Sequence, residues 1–334
     1  MCFTATLAAC GCEPKFTPPS QLDGVRVLAV HQDPASGSPG ASVKLDMLVT
    51  PASANVAWIG GCNNPPSRQY FACEPVFRAE SPPDLGSGTS FSVTLPDDIL
   101  SAAPELATDP LHYGVSYVFF AACSGTITPG GSDGFPFGCV DGAGAALGPS
   151  DFVIGFTTIY SYDGAENQNS NPMLTGVDFD GTSAAPASPF SDSAGDVFES
   201  IACDVGDDEA CDGAVFSHHA VCSDNGRCAP LVSACQGKKC PTYQVLPHVD
   251  PASFEMFTGQ NEILWASYYT TLGSFDSDTR LVDDRVSGPT TDIGSGWQAP
   301  GPDGSGTRRT STIWVTLNDQ RGGVTWASFD VVVE

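Results

Sequence analysis

The sequence predicts an all-β protein built as two tandem β-sandwiches, the second carrying a disulfide-rich loop insertion. Three observations lead there. At 334 residues the chain has room for about two domains of ordinary size. Gly (36) and Pro (27) are abundant and charged residues are only 16%, which favours short strands joined by turns over long charged helices. Apolar residues then recur with period 2, the repeat of a half-buried strand.

The strands follow in order. In VRVLAV, Val25, Val27 and Ala29 fall on one face. In SVKLDMLV, Val43, Leu45, Met47 and Val49 point one way while Lys44 and Asp46 point the other. FSVTL repeats the pattern with Phe91, Val93 and Leu95. The runs GVSYVFFAAC (114–123) and DFVIGFTTIYSY (151–162) are more continuously apolar, as central strands of a sandwich can be. A short helix is predicted over Asp97–Ala103, capped by Asp97 or Asp98. The polar stretch DGAENQNSNP (163–172) reads as the boundary between domains spanning 23–165 and 166–334.

The second domain predicts strands at MLTGVDF (173–179) and EILWASYYTTL (262–272). A closing hairpin joins TIWVTLND (312–319) to GVTWASFDVVV (323–333) through a turn at Gln320-Arg321-Gly322. Ile313, Val315 and Leu317 share a face, and a slip in alternation near Ala327-Ser328 predicts a bulge. SPGASVKLDM and LNDQRGGVTWASFDVVV resemble the first core strand and final hairpin of bacterial Ig-like β-sandwiches. That resemblance implies two tandem Ig-like domains.

The chain opens MCFTATLAACGC. Leu7-Ala8-Ala9-Cys10, at the end of a short apolar run, resembles the lipobox of bacterial lipoproteins. The resemblance implies a signal-peptide remnant at 1–9, acylation of Cys10 and a lipid-anchored tether at 10–22. Gly11, rather than Asp, follows the cysteine, which by the sorting pattern of that family implies the outer membrane or cell surface. No Lys or Arg precedes Cys10, so a translation start upstream of Met1 is expected.

Thirteen cysteines fit an oxidising compartment. Cys2, Cys10 and Cys12 stand at the start, and Cys12 is left over once the others are assigned. Cys62, Cys73, Cys123 and Cys139 bracket two loops in the first domain. Cys203, Cys211, Cys222, Cys228, Cys235 and Cys240 crowd an insertion at about 182–242 with no sustained strand or helix pattern. Its six cysteines allow 15 connectivities; nearest-neighbour pairing is Cys203–Cys211, Cys222–Cys228 and Cys235–Cys240. His218 and His219 raise a metal reading, but no Cys-x2-Cys pair is present, so disulfides are preferred.

A formal charge of -26 argues against nucleic acid as a partner, because phosphate backbones would be repelled. Asp204, Asp207, Asp208 and Asp212, with Glu209, are weak Ca²⁺ candidates, out of register with a calcium loop. No other cofactor or metal is implied. GGSDG formally matches the nucleophile elbow at Ser132 but sits in a Gly/Pro loop without a following helix. Trp265, Tyr268 and Tyr269 are split between the faces of one strand and read chiefly as core, although aromatics of this kind can also stack on sugar rings. Trp297, in SGWQAPG, reads as an exposed loop aromatic and a weak ligand contact.

Together these features lead to a non-catalytic, exported, lipid-anchored protein of the cell surface, binding or structural, with a membrane and another surface protein or glycan as partners. The alternative readings are a Ca²⁺-assisted carbohydrate-binding module and, third, an extracellular hydrolase with an unrecognised site.

Overall fold

Alternating side chains turn into sandwiches because each strand buries one face. In the computed structural model the described residues are 18–77, 84–104, 111–130, 136–164, 167–185, 220–222, 228–236 and 240–334. The first half holds β1 (Arg26–Asp33), β2 (Ser42–Thr50), β3 (Asn55–Asn63), β4 (Asp84–Ser87), β5 (Ser90–Thr94), β6 (Tyr113–Cys123), β7 (Thr126–Pro129), β8 (Phe137–Val140) and β9 (Phe152–Tyr162). β1-β2-β5 form one sheet and β4-β3-β6-β9 the other, with β7-β8 as a separate hairpin. Val43, Leu45, Met47 and Val49 are all buried and meet Trp58, Val118, Phe120 and Ile159 from the facing sheet. Trp58 is fully enclosed, its Nε1–H donating to Gly88 O at 2.8 Å.

The second half holds β10 (Leu174–Phe179), β11 (Thr182–Ala185), β12 (Ala220–Cys222), β13 (Cys228–Val232), β14 (Thr242–Val249), β15 (Met256–Phe257), β16 (Gln260–Asn261), β17 (Leu264–Thr270), β18 (Ser274–Phe275), β19 (Thr279–Asp284), β20 (Gly288–Pro289), β21 (Ser295–Gln298), β22 (Arg309–Asp319) and β23 (Val324–Val333). A five-stranded sheet, β11-β10-β14-β21-β18, faces a seven-stranded one, β12-β13-β23-β22-β17-β19-β20. Their core joins Leu174, Val177, Phe179 and Val245 to Leu264, Tyr268, Ile313, Val315 and Leu317. The all-β class of two tandem sandwiches is therefore the one observed.

Several local expectations are corrected. Residues 97–103 form successive turns with one helical bond, Ala102 N–H to Asp98 O, instead of a helix. The single described turn of α-helix, α1 (Glu74–Phe77), follows two short 3-10 segments in the Cys62–Cys73 region. In β1 a bulge between Val27 and Ala29 breaks the expected face, and Leu28, Ala29, Val30 and His31 are all buried. The closing hairpin runs the other way: its register is unbroken from Arg309↔Val333 to Asn318↔Val324, with no bulge at Ala327-Ser328. Thr325 takes an inward position and Trp326 an outward one, so the apolar pattern slips while the backbone does not.

The cysteine-rich insertion also supplies strands where none was expected. β10 and β11 turn at Asp180-Gly181, both at positive φ, as a two-residue hairpin loop requires. β12 pairs with β13, and β13 adds parallel to β23 through Leu231↔Val332.

The end of the expected tether is docked against the second sandwich. Leu22 N–H donates to Thr270 O (2.9 Å) and Thr270 N–H to Ser20 O (2.8 Å). Ser20 and Leu22 are buried there.

Candidate ligand-binding cleft

The continuous apolarity of β6 and β9 has a structural cause. Their inward faces fill the core, but their outward faces are aromatic as well. Tyr113 lies opposite Tyr162, Val115 opposite Tyr160, and Phe119 opposite Phe156 across the pair. Rings touch along this face: Tyr160 stacks on Tyr162 at 5.7 Å, Tyr113 lies 5.9 Å from Tyr160, and Tyr117 meets Phe156 edge-on at 5.6 Å. The sequence reading missed this face. The signal available was aromatics recurring on one period-2 face, Tyr113, Tyr117 and Phe119 in one strand and Phe152, Phe156, Tyr160 and Tyr162 in the other.

The Cys62–Cys73 segment packs over part of the face. Its cysteines are disulfide-bonded and buried beside Val115 and Tyr117. Asn64, Ser67 and Arg68 all take left-handed backbone conformations. The resulting loop carries the Arg68 guanidinium over Tyr113, 3.7 Å from the ring centroid. Arg68 Nη2 also donates to Tyr113 O and Pro104 O, both at 3.1 Å, and its carbonyl accepts from the Tyr117 hydroxyl at 2.8 Å. The stapled loop thus buttresses the aromatic wall from behind. Its own tip, Tyr70 and Phe71, remains exposed, with Tyr70 stacked on Phe156 at 4.6 Å.

Beyond the loop, Tyr113, Tyr160 and Tyr162 face the second sandwich across a cleft of about 330 Å³. The β15-β16 hairpin turns at Thr258-Gly259, again both at positive φ, and brings Phe257 edge-on to Tyr162 at 5.5 Å. The opposite wall is polar: Gln260 and Asn261 form the hairpin's second strand and Glu262 follows it, Arg285 comes from the β19-β20 turn, and Gln320 and Arg321 from the β22-β23 turn.

Arg321 organises that wall. Its Nε donates to Glu262 Oε1 at 2.7 Å and its Nη2 to Glu262 Oε2 and Glu255 Oε2, both at 2.8 Å. Its Nη1 donates to Asn167 O at 3.0 Å, and its guanidinium lies 4.2 Å from the Phe257 centroid. Burial opposes the charge, but the hydrogen bonds and negative charge of Glu262 outweigh it, and the Arg321 pKa is raised. Burial is also the main reason the Tyr160 hydroxyl is pushed up to about 12 and Tyr162 higher still.

The two walls are held in register by a polar joint. Asn171 Nδ2 donates to Gln32 O (2.6 Å), and Val324 N–H donates to Asn171 Oδ1 (3.0 Å). Asn169 Nδ2 donates to Asp319 Oδ2 (3.0 Å), while Ser36 Oγ donates to Gln168 Oε1 (2.8 Å) and accepts from Asn169 N–H (2.9 Å). His31 Nδ1 pairs with Val324 O across the joint. Gln168, Asn169 and Asn171 thus form a hydrogen-bonded seam between the two sandwiches. At Gly322 (φ 95°) a Cβ would meet Gln32 and Thr158 O at 3.1 and 3.2 Å, and at Gly323 one would come within 2.1 Å of Asp319 Oδ2. Only glycine fits this close approach.

Trp297 is corrected outright. It lies in β21, is fully buried, and donates from Nε1 to Leu272 O (3.1 Å) and Thr270 Oγ1 (3.2 Å). The glycine before it misleads: a Cβ on Gly296 would meet Thr242 at 2.7 Å and Asp276 at 2.8 Å, so it serves strand packing rather than a loop. Tyr268 is core, while Trp265 and Tyr269 are half-buried on the opposite face of β17.

Cys123 is bonded to Cys139 and Cys235 to Cys240. Cys222 and Cys228 are backbone partners across β12-β13. Cys2, Cys10, Cys12, Ser132, Cys203, Asp204, Asp207, Asp208, Glu209, Cys211, Asp212, His218 and His219 lie outside the described residues. Among the described residues no group of three or more His, Cys, Asp or Glu side chains is placed to hold a metal ion.

No protein-family model matches the chain, and no curated protein matches it. Solved structures similar to the chain include the D0-D1 domain of Intimin, at 10% identity and TM-score 0.18 over 92% of this chain and 96% of that one, and the D00-D0 domain of Intimin, at 11% identity and TM-score 0.20 over 93% and 98%. At these scores the matches add nothing to the fold read from the sheets themselves.

Proposed function

We propose that the chain is an exported, non-catalytic binding protein of a bacterial cell surface, held at the membrane by lipid on Cys10. The observation that carries the binding role is the cleft, an aromatic wall from one rigid sandwich facing a polar wall from the next. Ligand sites favour such concave, mainly apolar places between domains, with a few fixed polar groups. The disulfides support export, since such bonds persist in oxidising compartments. Glu262, the carboxylate that lines the cleft, is committed to Arg321, which supports binding over acid–base chemistry. The LAAC sequence supports the anchor, several acyl chains being enough for stable attachment.

Intact-mass measurement on protein extracted from its native membrane tests the reading. Loss of everything before Cys10 with an added acyl mass there is expected, and Cys10→Ala should release the protein from the membrane fraction. A free Met1 with reduced cysteines would overturn it.

A further inference from the structure

We infer that the cleft between the two sandwiches binds a neutral mono- or disaccharide, its ring stacked on Tyr160 and its hydroxyls met by Gln260, Asn261, Gln320 and Arg285. This rests on the reading of the chain as a binding protein and names the ligand class. The cavity of about 330 Å³ is at the small end of the usual range for small-molecule sites, roughly 300–1,000 Å³.

The chemistry of the two walls selects the ligand. Phenols are neutral at physiological pH, so Tyr160 and Tyr162 give the aromatic wall apolar ring faces and uncharged donors. The opposite wall offers amides at Gln260, Asn261 and Gln320 and one exposed guanidinium, Arg285, bonded to Gln320 at 2.7 Å. A purely apolar ligand would desolvate these groups without meeting the hydrogen-bonding capacity that their existing bonds leave over. A cation would meet two guanidinium groups, and Arg321 already lies against Phe257. An anion would approach a chain of net charge -26. A sugar ring, with an apolar C–H face and a rim of neutral hydroxyls, satisfies both walls at once.

The architecture suits such a ligand because the site is preorganised. Tyr113 is fixed from behind by Arg68 on the stapled loop, Phe257 by its tight hairpin, and Arg321 by two carboxylates. Little ordering is left for the ligand to impose.

The test is isothermal titration of the full chain with neutral mono- and disaccharides of glucose, galactose, mannose and N-acetylglucosamine, with and without EDTA. We expect saturable one-to-one binding of at least one of these, unchanged by EDTA. Tyr160→Ala should abolish it and Tyr160→Phe keep it. Gln320→Ala, at an exposed position, should weaken it about three- to ten-fold, the effect of one lost hydrogen bond, with an unchanged melting temperature. Absence of binding by every sugar, binding lost in EDTA, or binding indifferent to both Tyr160→Ala and Gln320→Ala would each overturn the inference. A lipidated protein that ignores all these sugars would refute the ligand class and leave the surface reading standing. An unlipidated protein that binds them would do the reverse.

Discussion

Two segments brace the cleft by opposite means. The loop from Cys62 to Cys73 is held covalently, and its tip can afford exposed aromatics at Tyr70 and Phe71. The turn from Asp319 to Gly323 has no covalent tie and depends on being enclosed. Arg321 is 5% exposed and its partner Glu262 is 7% exposed. A disulfide acts mainly by restricting the unfolded chain and is indifferent to local polarity. A buried ion pair acts only in the folded state and becomes a liability once either partner is lost. One brace should therefore respond to reductant, the other to charge.

The sharpest way to break this contrast is Arg321→Met. It strands the Glu262 carboxylate in a buried site, and a loss of about 3–5 kcal/mol is expected by chemical denaturation. Arg321→Met with Glu262→Met should recover much of that loss, because the buried Glu262 charge goes with its partner and Glu255, with 22% of its side chain exposed, can turn to water. If the double variant is as unstable as the single one, the pair is not the brace. Replacing Cys62 and Cys73 together by Ala should cost less, about 2–4 kcal/mol, and should make stability insensitive to reductant at this loop. Retention of wild-type stability would show that packing under the loop suffices.

A graded effect comes from pH. Burial first, then the charge of Glu262, pushes Asp319 from 3.8 up to about 7. The folded state then holds a proton that the unfolded state releases above about pH 4. Stability contributed by this group falls as pH rises from about 4 to about 7, at most about 1.4 kcal/mol per pH unit. His31 acts in the opposite sense: burial lowers its pKa, so acid below its ordinary value of 6.5 works against the fold. Comparing wild type with Asp319→Asn separates the two, and the variant should lose the Asp319 slope. Asn169 can accommodate the new amide by turning, because its buried Oδ1 has no partner at present. Matching pH profiles would refute the shift at Asp319. At the bottom of the scale, Asp23→Asn should leave the denaturation midpoint unchanged, since its pair with Arg26 is long, 3.7 Å, and exposed.

The strands of the core were legible in the sequence where one face is wet. Val43, Leu45, Met47 and Val49 alternate with polar neighbours, and the structure buries all four. Legibility failed where both faces are covered. β6 and β9 read as central strands, but their outer rings serve the cleft and the stapled loop, and no local pattern separates those uses. The cleft itself could not be read, because its lining comes from positions as far apart as Tyr113 and Arg321, joined only by tertiary packing. Trp297 failed for a related reason. Its strand exists through pairing with β14 and β18, while its own neighbours in sequence are Gly, Gln and Pro.

The docking of Ser20–Leu22 on Thr270 bears on standoff from the bilayer. In a simple string of beads, the first domain would sit nearest the membrane and the second would project outward. Here the chain touches the second sandwich before it enters the first. Ten residues separate Cys10 from Ser20, a fully stretched reach of at most roughly 35 Å. With acyl chains on Cys10, that length would cap how far the docking point on the second sandwich could stand from the bilayer.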